Sequence, residues 1–540
     1  MTNTRLVVLL AGTVLSGCLD SPAWKNFPKP GSSATEAESS TSSGEGPALT
    51  TGSSGILTTT VDADPTTTTD EPTDTAGTTA AALDPLIVGH MLGPDPLDVG
   101  GPIAVSIATE HADGVRMQVG DEAPFELAAV GADSFAGAIV MVSALSNGTH
   151  SATFTAWRDG LESDPLMVPF TVALPAMGSE LFWESAGLIG TGAIAALAVT
   201  PSGDVLEFGT YYPANQPRCY LRRRDLAGAW GDGDLAVALP ETTCTAIDMK
   251  VSATGEIFTL ARRTDNGDTR WTLGKQTNWG GALENIGQGT AEEDAFALAI
   301  HPEMVAVCGA RPQPTLDLDA FVAIFRPNLP GLVKAFDYVN PIEHRFDETA
   351  RDCVFVGDTL ALVGEAKGRH DGDFMPIRNR LFVLELAANT LAPTWTVAPA
   401  GPGTQSGATG VVVDDQGRLI LSAFTCGDTC ATEGALRMFS PGVGLEWPVS
   451  LGLGIKSPHD VAWHAAGYAV VVGARELDPL STLFWAQAWI PGSNQPLWTA
   501  EHSDAATLQI AFAVTVGPYG QIVAGGMGAL GYPAIVYIGG

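Results

Sequence analysis

"ELFWESAGL" (Glu180–Leu188) has the pattern of a β-strand with no partner beside it. Leu181, Phe182 and Trp183 are bulky, polar residues follow, and the stretch before it belongs to a different pattern. The segment that pairs with it decides the architecture of two thirds of the chain. Beyond residue 190 one unit recurs: an apolar strand, a turn holding Gly or Asp, a second apolar strand, then a small residue. The copies are "ALAVTPSGDVLEFG" ending at Gly209, "DMKVSATGEIFTLA" at Ala261, "ALAIHPEMVAVCG" at Gly309 and "VFVGDTLALVG" at Gly364. "GVVVDDQGRLILSA" at Ala423, "VAWHAAGYAVVVG" at Gly473 and "AVTVGPYGQIVAGG" at Gly526 complete the set. A mean spacing of about 53 residues leaves room for four short strands in each copy.

Units of this size cannot bury both faces alone, so they are expected to pack radially as the blades of a propeller. A second count agrees. Each copy is followed by a hairpin whose last strand carries an aromatic: Trp230, Trp279, Phe336, Trp395, Trp447 and Trp498. The seventh copy has none, and ends at "AIVYIGG" (Ala534–Gly540). Trp183 stands 47 residues before Trp230, in the vacant slot. The expectation is therefore that 180–188 pairs with 533–540 and closes a ring over 177–540, leaving no open sheet edge. The repeats resemble secreted bacterial seven-bladed β-propeller repeats (the SBBP type). "DLDAFVAIFRPNLPGLVKAF" followed by "VFVGDTLALVGEA", and "GVVVDDQGRLILSA", carry the likeness. It spans roughly residues 180–540 and implies a fold without implying an activity.

The N-terminus supplies an address. Arg5 precedes "LVVLLAGTVL" (Leu6–Leu15), an apolar run too short to span a bilayer as a mature helix. "LSGC" (Leu15–Cys18) resembles the lipobox of bacterial lipoproteins. The resemblance implies a signal peptide over 1–17, cleavage before Cys18, and acyl chains on that cysteine as the membrane anchor. Leu19, rather than Asp, after the cysteine implies the outer membrane or cell surface. Residues 18–83, with "SSATEAESSTSSGEG" and "TTTTDEPTDTAGTTAA", hold too few apolar groups to offset chain entropy and read as a disordered tether. A coil of this length reaches about 45 Å. Over 84–176 short alternating strands return, and "ALSNGTHSATFTAWRDG" (Ala144–Gly160) resembles the last hairpin of bacterial Ig-like modules. The expected class is thus all-β: tether, Ig-like β-sandwich, seven-bladed β-propeller.

The formal charge is −33, with seven lysines among 27 basic residues and no basic cluster, which excludes nucleic acid as a partner. Apart from Cys18 there are six cysteines, an even number in an exported chain. Strand alternation in a propeller places all six on one face. The expected disulfides are Cys219–Cys244, Cys308–Cys353 and Cys426–Cys430, each worth roughly 2–4 kcal/mol. No Cys-x-x-Cys pair or His spacing supports zinc.

The same face carries "EAKGRHDGDFMPIRNR" (Glu365–Arg380), with His370, Asp371 and Asp373. Near the starts of the inner strands stand Asp294, Arg351, Asp352, His459 and Asp460, which would ring the central opening. Such a rim could bind a polar ligand or Ca²⁺; turn-forming Asp and solvated loop charges are the plainer reading. The Asp spacing is not that of an EF-hand, and no other cofactor is implied. There is no His-Glu-x-x-His, Gly-x-Ser-x-Gly, P-loop or dinucleotide fingerprint. His459-Asp460 could be half of a proton-transfer pair, although neighbours on a regular strand face opposite ways. The expectation is a monomeric, lipid-anchored surface protein presenting a propeller for ligand or partner binding or adhesion, without a catalytic residue to name. A polysaccharide-directed hydrolase or lyase, or a structural envelope component, are the alternatives.

Overall fold

The computed structural model describes residues 83–540 apart from 99–100, 142–145, 186–190, 225–234, 237–242, 266, 314–317, 339–346, 369–377, 398–404, 427–431, 453–454, 479–480, 503–507 and 529–530. Cys18, Cys430, His370, Asp371, Asp373, Trp230, the signal peptide and the tether lie outside the described residues, as does the side chain of Cys426.

Residues 86–172 form two antiparallel sheets around one apolar core. Gly101–Glu110 shows how: Ile103, Val105 and Ile107 are buried, while Pro102, Ala104 and Ala108 between them face outward. Asn147, in the expected Asn-Gly turn, does more than turn the chain. Its amide accepts from Leu174 N–H at 2.7 Å and donates to Leu174 C=O at 2.8 Å, tying the hairpin to the end of the module.

From residue 180 onward the described residues form seven four-stranded antiparallel sheets. Their first strands are β1 (Gly192–Val199), β2 (Thr243–Val251), β3 (Asp294–His301), β4 (Asp347–Val356), β5 (Gln405–Val413), β6 (Ile455–His464) and β7 (Ile510–Val516). Each contacts the next, and β7 contacts β1, so the seven strands surround one axis as in a β-propeller. The seventh sheet takes its outermost strand from the other end of the domain. Glu180–Ser185 pairs antiparallel with Pro533–Ile538, Trp183 opposite Val536.

The apolar residues divide in the same way, with one buried cluster at each junction between neighbouring sheets. Leu206, Phe208 and Leu221 meet Ala246, Met249 and Ile257 between sheets one and two. Ile194, Leu197 and Tyr220 meet Val523, Ile535 and Tyr537 between sheets one and seven. A fully buried side chain of this kind stabilises by roughly 1.5–3 kcal/mol.

All seven inner strands share one irregularity. The register slips by one residue at Ala195, Ile247, Phe296, Arg351, Thr409, His459 and Phe512. Each is a β-bulge in the same place. The small residue that ends each sequence unit stands opposite the residue just before the bulge: Gly209, Ala261, Gly309, Gly364, Ala423, Gly473 and Gly526. The bulge pushes a carbonyl oxygen toward it. A Cβ at Gly309 would lie 2.0 Å from Asp294 O, and one at Gly364 1.9 Å from Thr349 O.

Two expectations are corrected. Trp279 lies in the turn before its sheet's outer strand, Glu284–Gln288, because that strand is shorter than the apolar pattern suggested. Four cysteines lie within strands rather than in the loops between them, because the strands extend beyond their apolar runs. Cys308 is within Met304–Pro312 and Cys353 within β4, while Cys219 and Cys244 are the second residues of Arg218–Arg224 and β2.

Candidate functional site at the bulge ring

The bulges place one half-buried residue from each sheet at the same level around the axis: Ala195, Ile247, Phe296, Arg351, Thr409, His459 and Phe512. Their side chains also meet across sheets. The Arg351 guanidinium lies 5.0 Å over the Phe296 ring and is held by Glu365, to which its Nε donates at 3.0 Å. The His459 ring meets Phe512 edge-on at 5.2 Å. Burial lowers the His459 pKa to about 4, so the imidazole is neutral at physiological pH. Thr409 Oγ1 donates to Ser422 C=O at 3.2 Å. Asp294, near the start of β3, is ion-paired with Arg262 of sheet two.

One residue further along, small side chains and aspartates alternate: Ala196, Asp248, Ala297, Asp352, Gly410, Asp460, Ala513. The three aspartates behave alike. Asp248 accepts Met249 N–H on Oδ1 at 2.7 Å and Leu298 N–H of β3 on Oδ2 at 2.8 Å. Asp352 accepts Cys353 N–H at 2.8 Å and Val411 N–H of β5 at 2.7 Å. Asp460 accepts Val461 N–H at 2.8 Å and Val514 N–H of β7 at 2.9 Å. Each carboxylate therefore fills the bulge of its own strand and ties that strand to the next sheet.

Lys250, two residues beyond Asp248, places its Nζ 3.3 Å from Asp248 Oδ1, and its side chain remains 42% exposed. Burial opposes its charge, but Asp248, Asp352 and Asp460 outweigh this and hold its pKa above the usual lysine range. Burial pushes Asp352 up to about 7 against the pull of Lys250; Asp248 and Asp460 push it the same way, and the Val411 N–H opposes. Asp460 is pushed up to about 6, again by burial first, with Lys250 and the amides of Val514 and Val461 opposing.

Of the residues singled out in the sequence, Arg351, Asp352, His459 and Asp460 come together on the ring, and Asp294 lies two residues before its bulge. The bulge makes consecutive residues both half-buried, so His459 and Asp460 do not follow the simple alternation of a regular strand. The imidazole packs on Phe512 while the carboxylate is taken up by backbone amides. Asp248, Lys250, Phe296 and Phe512 belong to the site and were not foreseen. The signal was present: aligning the seven units on their small residue puts all four in the two bulge columns or just beyond them.

Among the described residues no group of three or more His, Cys, Asp or Glu could hold a metal ion. Cys219 and Cys244 form a disulfide with Cα atoms 5.3 Å apart, joining sheets one and two. Cys308 and Cys353 meet between sheets three and four but are free thiols, not the expected disulfide. Each is pushed up in pKa, first by burial.

No family model matches the chain, and no curated protein matches it. Its structure is similar to solved propeller structures at very low identity. The β-propeller domain of the Trilobed protease from Pyrococcus furiosus is 9% identical, with a TM-score of 0.41 over 65% of this chain and 96% of that one. A protein of unknown function from Dyadobacter fermentans is 9% identical, with a TM-score of 0.42 over 67% and 98%. An ulvan lyase of polysaccharide lyase family PL25 is 8% identical, with a TM-score of 0.41 over 66% and 96%.

Proposed function

We propose that this chain is a lipid-anchored surface protein of the cell envelope whose seven-bladed propeller binds an extracellular ligand or partner at the bulge ring. In this reading Cys18 carries the acyl chains, 18–83 is the tether, 84–176 an Ig-like spacer, and 177–540 the binding domain. One observation carries it. Within the repeats, the column before the bulge is occupied only by Ile, Ala or Pro, and the column after it only by Ala, Gly or Asp. The bulge column itself holds Ala, Ile, Phe, Arg, Thr, His and Phe. The fold dictates its neighbours and leaves this column open, which is how a scaffold carries a site. Two aromatic faces beside an arginine and a neutral imidazole suit a ligand with both apolar faces and hydrogen-bonding groups, such as a saccharide chain.

Thermal unfolding of residues 84–540 against a polysaccharide panel, Ca²⁺ and EDTA tests this. A ligand at a hundred times its dissociation constant should add about 2.7 kcal/mol of stability. The gain should vanish in Phe296→Ala and Phe512→Ala; a gain that survives both puts binding elsewhere. Turnover of a glycan lost in His459→Ala would replace the binding reading with an enzymatic one. For the anchor, radiolabelled palmitate should be incorporated by the full chain and not by Cys18→Ser; equal labelling of both would remove it.

A further inference from the structure

The three aspartates stand on alternate sheets, two, four and six, of the seven. They fasten the junctions between sheets two and three, four and five, and six and seven, each with a carboxylate oxygen on a backbone amide of the next inner strand. Lys250 Nζ lies 3.3 Å from Asp248 Oδ1, and the charges of Asp352 and Asp460 act on the same lysine. Where the column is small, it makes room: a Cβ at Gly410 would lie 3.2 Å from Asp460 Oδ1.

We propose that Asp248, Asp352, Asp460 and Lys250 form a proton-controlled clasp at the axis, in which the protons held by Asp352 and Asp460 set how tightly those three junctions close. Ionisation of Asp352 and Asp460 beside Asp248 would set three negative charges around one lysine, so these two groups hold protons in the folded ring that the unfolded chain releases. As pH rises and these protons leave, repulsion across the axis grows and the inner strands are pushed apart. As pH falls, the repulsion disappears while the packed junctions remain. The device stands on this geometry whatever binds at the bulge ring.

The charged groups around Asp352 are Asp248 and Lys250 on β2, Asp460 on β6, and the Arg351–Glu365 pair beside it; the Asp294–Arg262 pair lies near the start of β3. His459 works in the opposite sense. Folding lowers its pKa to about 4, so it takes up a proton on unfolding below its ordinary value. Asp352 and Asp460 are raised in the folded state, to about 7 and about 6, so their contribution to stability is fully present below the unfolded carboxyl value and is lost as pH climbs through the folded ones.

Proton release on unfolding near pH 5.5, measured by calorimetry in buffers of different ionisation enthalpy, isolates the effect. Asp352→Asn should release about one proton fewer than the unaltered chain at this pH, and the two should agree at pH 8.5. Lys250→Met should extend the pH range of proton release upward, and Lys250→Arg should restore it. Equal proton release in Asp352→Asn and the unaltered chain, or no change in Lys250→Met, would overturn the clasp. Should Asp352→Asn fail to fold, hydrogen exchange of the unaltered chain gives the answer. After correction for intrinsic rates, the segments around Leu298, Val411 and Val514 should lose protection between pH 5 and 8, while that around Ala246 should not. Uniform behaviour of all four would also overturn it.

Discussion

At Gly364 a methyl group would meet the Thr349 carbonyl oxygen at 1.9 Å, and the obstacle is backbone on a bulged inner strand. It cannot move without disturbing the ring. Gly364→Ala is therefore expected to cost roughly 1–3 kcal/mol by overpacking, read as a lower midpoint in chemical denaturation. Ala occupies the same place in two other units, at Ala261 and Ala423. Ala423→Gly should consequently cost only about 0.5–1 kcal/mol through chain entropy. If both changes cost the same, the close approach at Gly364 is not what selects glycine. The small residue was plain in the sequence as the end of each unit, whereas the bulge that requires it was not. A bulge inserts a residue without changing the apolar pattern on either side. For the same reason Phe296 and Phe512 read as core within apolar strands, while the charged neighbours Arg351, Asp352, His459 and Asp460 drew notice.

At the scale of the strand, closure and cross-links follow. Pro533–Ile538 is buried along its whole length between Ile522–Met527 and Glu180–Ser185. Deleting the last eight residues removes the partner of both neighbours and a share of two apolar clusters, so the truncated chain should yield no soluble folded protein. A truncated chain that melts cooperatively at an unchanged temperature would show the pairing to be dispensable. Cys308 and Cys353, 0% and 3% exposed, meet at a junction that no axial aspartate fastens. As buried thiols they should resist alkylation in the folded chain, and both should react once it is denatured. Blocked thiols at both positions after denaturation would show that the pair is oxidised instead. The pairing of Glu180–Ser185 with the C-terminal strand was readable because a missing aromatic in one place matched a surplus one in another. Strand ends were less readable: β4 begins at Asp347, in polar sequence that only pairing with its neighbour makes extended.

At the scale of the whole molecule, two kinds of contact alternate over junctions one–two to four–five of the ring. Axial aspartates hold the junctions two–three, four–five and six–seven. A disulfide holds one–two, and two buried thiols meet at three–four. Among the described residues the junctions five–six and seven–one have neither; seven–one relies on its apolar cluster together with the strand exchanged between the two ends of the domain. That strand has a mechanical consequence. Any pull transmitted from the N-terminal side reaches the propeller at residue 180, on the outermost strand of the last sheet. The first bonds it loads are Gly178 N–H to Gly539 C=O and Gly539 N–H to Ser179 C=O, each 2.9 Å, with the His502–Glu180 contact at 2.7 Å behind them. Such a pull would thus fall first on the joint that makes the domain a ring.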